Sequence, residues 1–218
     1  MKLNETRGLQ LLGRDADGRL LMPGYRVMEY LLVLNPHEEL RNKILAVKND
    51  FFDKYKAETA RWGKPHITLV NFLQYQLMED RLVNRLHAIA MGQCPIKVAL
   101  KDYGSFPSHT IYINITSKLP IQGLVKEVRS QAQRLMKLNE DNKPHFILEP
   151  HLTIARRLLP WQYEQGWLEY SHRHFTGSFI ADAMLLLKRP LGEQQYQIVQ
   201  RFAFENLPVN TRQGELFG

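Results

Sequence analysis

Three features of the chain predict an α+β fold built from two copies of one unit. They are a doubled pentapeptide, matched surroundings for its two copies, and a strand-to-helix change of periodicity ahead of each. Pro65-His66-Ile67-Thr68-Leu69 returns as Pro150-His151-Leu152-Thr153-Ile154, with the two histidines 85 residues apart. Pro36 and Pro120 precede His66 and His151 by 30 and 31 residues. A repeat of this length is too long for a solenoid unit and reads as a duplicated lobe. The architecture expected is bilobal: two antiparallel sheets facing a central cleft, with helices outside.

The elements follow in order. Tyr30 to Leu34 is an apolar run ended by Asn35-Pro36, predicting a strand near 25–34. Leu40, Ile44, Val47, Phe51 and Tyr55 then recur at helical spacing, giving a helix near 37–58 with Pro36 at its entry. The first motif strand spans 65–73 and a helix follows near 78–91. Gly92, Pro95, Gly104 and Pro107 mark a crossover that also holds a strand from Ile96 to Tyr103. The second copy repeats the series: a strand near 109–116, a helix near 120–138 on Ile121, Leu124, Val128 and Leu135, the motif strand 149–156 and a helix near 160–173. Two long strands, near 177–188 and 195–206, turn at Pro190-Leu191-Gly192-Glu193. The chain thus divides into an extension over 1–24, one domain over 25–206 with lobes of about 25–103 and 104–206, and a tail over 207–218.

A chain of 218 residues that is 44% hydrophobic can bury a substantial core. Cys94 is the only cysteine, so a disulfide framework and a cysteine-rich zinc site are both excluded. Leu9 to Leu12 is too short for a secretory core and no apolar run reaches membrane-spanning length. A cytoplasmic monomer without membrane contact is expected. The net charge of +7 suits a partner carrying phosphates, but it is spread along the chain rather than gathered into a basic arm.

Function is concentrated in the motifs. In a strand, side chains at i and i+2 share a face, so His66 and Thr68 point one way while Ile67 and Leu69 enter a core. His151 and Thr153 repeat the arrangement. Two imidazoles can act as general acid and general base, and two hydroxyls can hold an anion between them. A single His-x-Thr means little, because eight His and eight Thr in 218 residues give about 0.3 copies by chance. His174-Phe175-Thr176 is set aside because Gly177 follows it, and Lys143-Pro144-His145-Phe146-Ile147 because Ile147 replaces the hydroxyl. His37, His87, His109, His145 and His172 carry no motif and read as surface or core residues. No Asp or Glu shares a strand face with either motif and threonine is a poor ligand, so neither metal nor cofactor is expected. Strict strand parity places Arg157 on the face of His151 and Thr153. Tyr103, Phe106, Trp62 and Trp161 could stack a base, although each reads more simply as a packing residue.

The doubled motif, continued by Ala155 and Arg156 in its second copy, resembles the 2H phosphoesterase superfamily, and within it the bacterial and archaeal 2′-5′ RNA ligase/cyclic phosphodiesterase group. That resemblance implies the bilobal LigT-like fold. It also implies opening of 2′,3′-cyclic phosphates, at RNA ends or in small cyclic nucleotides, to 2′-phosphates without a metal, and reversible 2′-5′ ligation. It assigns His66 as proton donor, His151 as acceptor, Thr68 and Thr153 as phosphate ligands, and Arg156 rather than Arg157 as the phosphate-binding arginine. The near-symmetry of the motifs leaves the two histidine roles interchangeable. An alternative from another class is a nucleotide-binding sensor that binds an AMP-like ligand with little turnover.

Overall fold

The computed structural model describes residues 24–207, so the expected extension and tail lie, but for Gly24 and Leu207, outside the described residues. The chain runs β1 (Val27–Leu34), α1 (Glu38–Tyr55), α2 (Glu58–Arg61), β2 (Ile67–Tyr75), a 3₁₀ turn (Gln76–Met78), α3 (Glu79–Met91), β3 (Ile96–Phe106) and β4 (Thr110–Ile115). It continues with α4 (Lys118–Met136), β5 (His145–Phe146), β6 (His151–Arg156), α5 (Pro160–Tyr170), β7 (Thr176–Ala181), β8 (Ala183–Pro190) and β9 (Gln197–Ala203).

The strands form an antiparallel array in the order β7-β3-β4-β6-β2-β1-β8-β9, with β5 added beside β2. The two motif strands meet at its middle through one residue pair, Ile67 with Leu152. The array is therefore two four-stranded halves joined along the motifs. Helices α3 and α4 cover the half containing β2, and α1, α2 and α5 cover the half containing β6. Each helix that links a first strand to its motif strand thus packs on the opposite half. The resulting α+β class is the one expected.

The halves of the sheet do not follow the halves of the chain. A boundary near residue 103 would cut through β3, which pairs with β4 and β7, while β8 and β9 extend the half founded by β1 and β2. The expected strand over 177–188 is in fact two strands. The chain leaves β7 at Asp182, whose carbonyl accepts from the Phe204 amide at 2.8 Å, and enters β8 in the other half. Apolar residues on both sides of Asp182 hide this crossing from a reading of hydrophobicity alone. The turn at Pro190 is as expected: Glu193 N–H donates to the Pro190 carbonyl and Gly192 takes a φ of +89°.

Local chemistry explains the helices around the site. Leu40, Ile44, Phe51 and Tyr55 form the buried stripe of α1, and the His37 Nδ1 accepts from the Leu40 amide as its N-cap. Pro36 therefore stands just ahead of the cap. Lys56, at φ +51°, ends α1 short of the expected residue 58 and lets the chain restart as α2. Gly166 brings α5 against α1, since a Cβ there would lie 2.8 Å from the Phe51 ring. Arg173, just beyond α5, ties the two together through Asp50 at 2.6 Å.

Candidate active site

The pairing of Ile67 with Leu152 fixes the geometry of both motifs. In antiparallel register the next residues must also face one another, so His66 lies across from Thr153 and Thr68 across from His151. Ile67, Leu69, Leu152 and Ile154 are fully buried beneath the helices. Burying each contributes about 1.5–3 kcal/mol, which pins the register. A slip of one residue would exchange these side chains with His66, Thr68, His151 and Thr153. The four functional side chains are half-buried on the opposite, helix-free face, with histidines on one diagonal and threonines on the other.

Each ring is anchored in the same way. The His66 Nδ1 lies 2.8 Å from the Lys64 carbonyl, and the His151 Nδ1 lies 2.8 Å from the Glu149 carbonyl. A carbonyl can only accept, so each Nδ1 carries the hydrogen and each Nε2 is left to exchange a proton with a substrate. Around this shared frame the surroundings differ. Phe106 meets the His151 ring edge-on at 4.9 Å and Tyr112 lies at 5.1 Å. Asn114, opposite His151 in the ladder, is itself held by the Tyr103 carbonyl at 2.9 Å. Burial lowers the His66 imidazole from its ordinary value, offset in part by the Lys64 carbonyl, and the cations of Lys48 and Arg156 lower it further. Burial also lowers His151, but there the Glu149 carbonyl and carboxylate both oppose the shift.

A β-bulge separates the two arginines. In β4 and β6, Tyr112 pairs with Thr153 and Ile111 with Ala155, leaving Ile154 unmatched. The extra residue shifts parity by one. Ala155 is therefore buried and Arg156 comes out exposed, its charge close enough to act on His66, Lys48 and the Tyr196 hydroxyl. The Thr59 hydroxyl grips the Arg156 backbone, donating to its carbonyl at 2.5 Å and accepting from its amide at 3.3 Å. Arg157 lies beyond the strand end at φ +52°. Strict parity thus misplaces Arg157, because alternation assumes an unbroken ladder. The first motif has the matching bulge, where β1 and β2 pair Val33 with Thr68 and Leu32 with Val70.

Several features escaped the sequence reading. Thr59 sits on a four-residue helix too short to give a periodic signal. The discarded Pro144-His145-Phe146 echo forms β5 and pairs with β2 at Val70 and Asn71. A polar recess continues along β2, lined by Glu29, Asn71, Leu73, Asp141, Asn142 and Lys143. Beside it Glu29 is held by Arg189 at 2.7 Å and by the Tyr196 hydroxyl at 2.7 Å. Of the four stacking candidates, Phe106 touches His151, Tyr103 packs against Tyr170 and Phe175, and Trp62 and Trp161 are exposed. His174 pairs with Asp102 near the outer strand β7, and the exposed Cys94 thiol lies 2.6 Å from the Asn206 side-chain oxygen. Among the described residues, no group of three His, Cys, Asp or Glu side chains could hold a metal, and no helix is long and apolar enough to cross a membrane.

No curated protein matches the chain. Among solved structures, E. coli LigT complexed with 3′-AMP aligns with a TM-score of 0.58 at 18% identity, covering 82% of this chain and 98% of LigT. TT0787 of Thermus thermophilus aligns with a TM-score of 0.59 at 16% identity, covering 81% of this chain and 98% of TT0787. At these identities the likeness establishes the fold. The family profile goes further, matching residues 35–193 and thus both motifs, and it shows that the chain belongs to the 2′-5′ RNA ligase superfamily.

Proposed function

We propose that this protein is a metal-independent phosphodiesterase that opens 2′,3′-cyclic phosphates, at RNA ends or in small nucleotides, to 2′-phosphates. The observation that carries the reading is the diagonal arrangement of two Nδ1-anchored histidines and two threonines on adjacent strands. A cyclic phosphate seated over this square would meet one Nε2 on each side. One imidazole takes a proton from water as its oxygen bonds to phosphorus. The other gives a proton to the ribose 3′ oxygen as the ring bond breaks. Thr68 and Thr153 hydroxyls, with the Arg156 guanidinium, hold the non-bridging oxygens as charge redistributes. Run in reverse with a ribose hydroxyl as nucleophile, the same groups support 2′-5′ ligation. Membership of the family supports the broader class, phosphoesterase or RNA-ligase-like chemistry. The 3′-AMP complex of LigT supports a nucleotide as ligand.

Purified protein, treated with chelator, is to be assayed against 2′,3′-cyclic AMP, an RNA ending in a 2′,3′-cyclic phosphate, ADP-ribose cyclic phosphate and a 2′-5′ dinucleotide. The expected result is a 2′-phosphate product from at least one cyclic substrate. Loss of activity on chelation with recovery on adding a divalent ion would overturn the mechanism. Tight binding of AMP with no turnover of any substrate would instead identify a nucleotide sensor.

A further inference from the structure

We propose that Lys48 is a positioning residue that keeps His66 neutral until an anion enters the site, so that the proton His66 donates arrives together with the substrate. The inference rests on the acid/base reading above. Lys48 lies on the buried stripe of α1 with Leu40, Ile44, Phe51 and Tyr55 and is only 5% exposed. Lysine is almost never buried to this degree unless it is paired. Its ammonium donates to the Trp62 carbonyl at 3.3 Å, in the loop that delivers His66. Among the described residues it forms no ion pair, and the nearby Asp50 is engaged by Arg173 and Lys54. Burial first, and Arg156 second, push the ammonium down to about 8, which leaves it largely charged at neutral pH.

The duplicated fold supplies an internal control. Aligning Pro36 with Pro120 places Ala132 at the position equivalent to Lys48, and Ala132 is fully buried and uncharged. Aligning the histidines places Glu149 opposite Lys64. His66 is thus faced by Lys48 from α1 and Arg156 from β6, while its own loop contributes the Lys64 carbonyl. His151 is faced by the Glu149 carboxylate, which Lys118 of α4 holds at 2.8 Å. Two cations disfavour a third on His66. A phosphate anion bound between them offsets that field, and the imidazole takes a proton from solvent. His66 then gives this proton to the leaving ribose oxygen while His151 takes one from the attacking water. Release of the His151 proton to solvent restores the starting state.

Imidazole NMR titrations of the free protein and of the protein saturated with 2′-AMP test this directly. In wild type, His66 should titrate below His151, and 2′-AMP should raise His66 by more than His151. Lys48→Met should raise free His66 by at least about 0.5 pH unit while moving His151 by less than about 0.2. Calorimetry at pH 7 in buffers of different ionisation enthalpy should show less proton uptake on 2′-AMP binding in Lys48→Met than in wild type. Lys48→Arg, which keeps the charge, should stay near wild type. The proposal is overturned if wild-type His66 titrates at or above His151, a result that needs no variant to fold. It is also overturned if Lys48→Met moves both rings equally. Should the titrations behave as expected while His66→Ala keeps full turnover, the charge relation stands and the acid/base reading fails.

Discussion

Because each Nδ1 is committed to a backbone carbonyl, every exchangeable proton at this site must pass through an Nε2. Removing either ring removes one of the two transfers. His66→Ala and His151→Ala should each lower kcat by at least ~100-fold, with much smaller changes in Kd for 2′-AMP, since Thr68, Thr153 and Arg156 supply the phosphate contacts. Near-normal kcat in both variants would mean that the motif is structural. The bulge makes a sharper prediction. Arg156→Ala removes a charge-assisted contact of about 1.5–3 kcal/mol and should lower kcat/KM roughly ten- to a hundredfold. Arg157→Ala, altering a side chain beyond the strand, should stay within about twofold of wild type. Equal losses in the two variants would show that the bulge does not decide which arginine meets phosphate.

The motif strands deliver their side chains only if the neighbouring strand supports them, and β3 does so through an absence. Gly104 lies opposite Tyr112, and a Cβ there would stand 2.6 Å from both the Tyr112 ring and the Asn114 side-chain oxygen. Neither group can move freely, because Tyr112 sits against Phe106 and His151 while Asn114 is bonded to the Tyr103 carbonyl. Gly104→Ala should therefore cost about 1–3 kcal/mol by overpacking. It should also lower kcat by displacing the supports of His151, with Tm and kcat measured on the same preparation. An unchanged kcat would remove Tyr112 and Asn114 from the support of the site. Gly104 was visible in the sequence only as a breaker near a crossover, and its close approach to β4 became visible only with the register. The same limit explains what else was and was not legible. Pro-His-x-Thr strands, amphipathic α1 and α4, and the Pro190 turn rest on local pattern and read correctly. Arg156, Thr59, β5 and the Asp182 crossing depend on which strand lies beside which, and no local pattern carries that.

At the scale of the molecule, exchange of α1 and α4 between the halves makes the motif seam the meeting point of two interleaved cores. Proton binding at that seam is therefore coupled to folding as well as to turnover. Burial lowers both His66 and His151 in the folded state, whereas in the unfolded chain each titrates near its ordinary value of about 6.5. Below that value the unfolded chain binds more protons than the folded one, so stability falls with pH. Their contribution is complete above about 6.5 and is lost as pH drops through the lower folded-state values. Urea midpoints should accordingly fall from pH 7 to pH 5, and the His66→Ala/His151→Ala double variant should show a shallower fall. The catalytic profile follows from the same directions. Turnover needs one ring protonated and the other neutral, but at pH 7 both rings of the free protein favour the neutral form. The bell for kcat/KM, which reports the free enzyme, should therefore be centred on the acid side of 6.5. A bound phosphate anion favours the protonated ring, so the bell for kcat should lie at higher pH than the bell for kcat/KM. The limbs belong to the coupled pair and not to either histidine, and the displacement between the two bells is the quantity to measure. A kcat/KM optimum above pH 7.5, or a kcat bell at or below that of kcat/KM, would mean that the cations around His66 do not govern its proton.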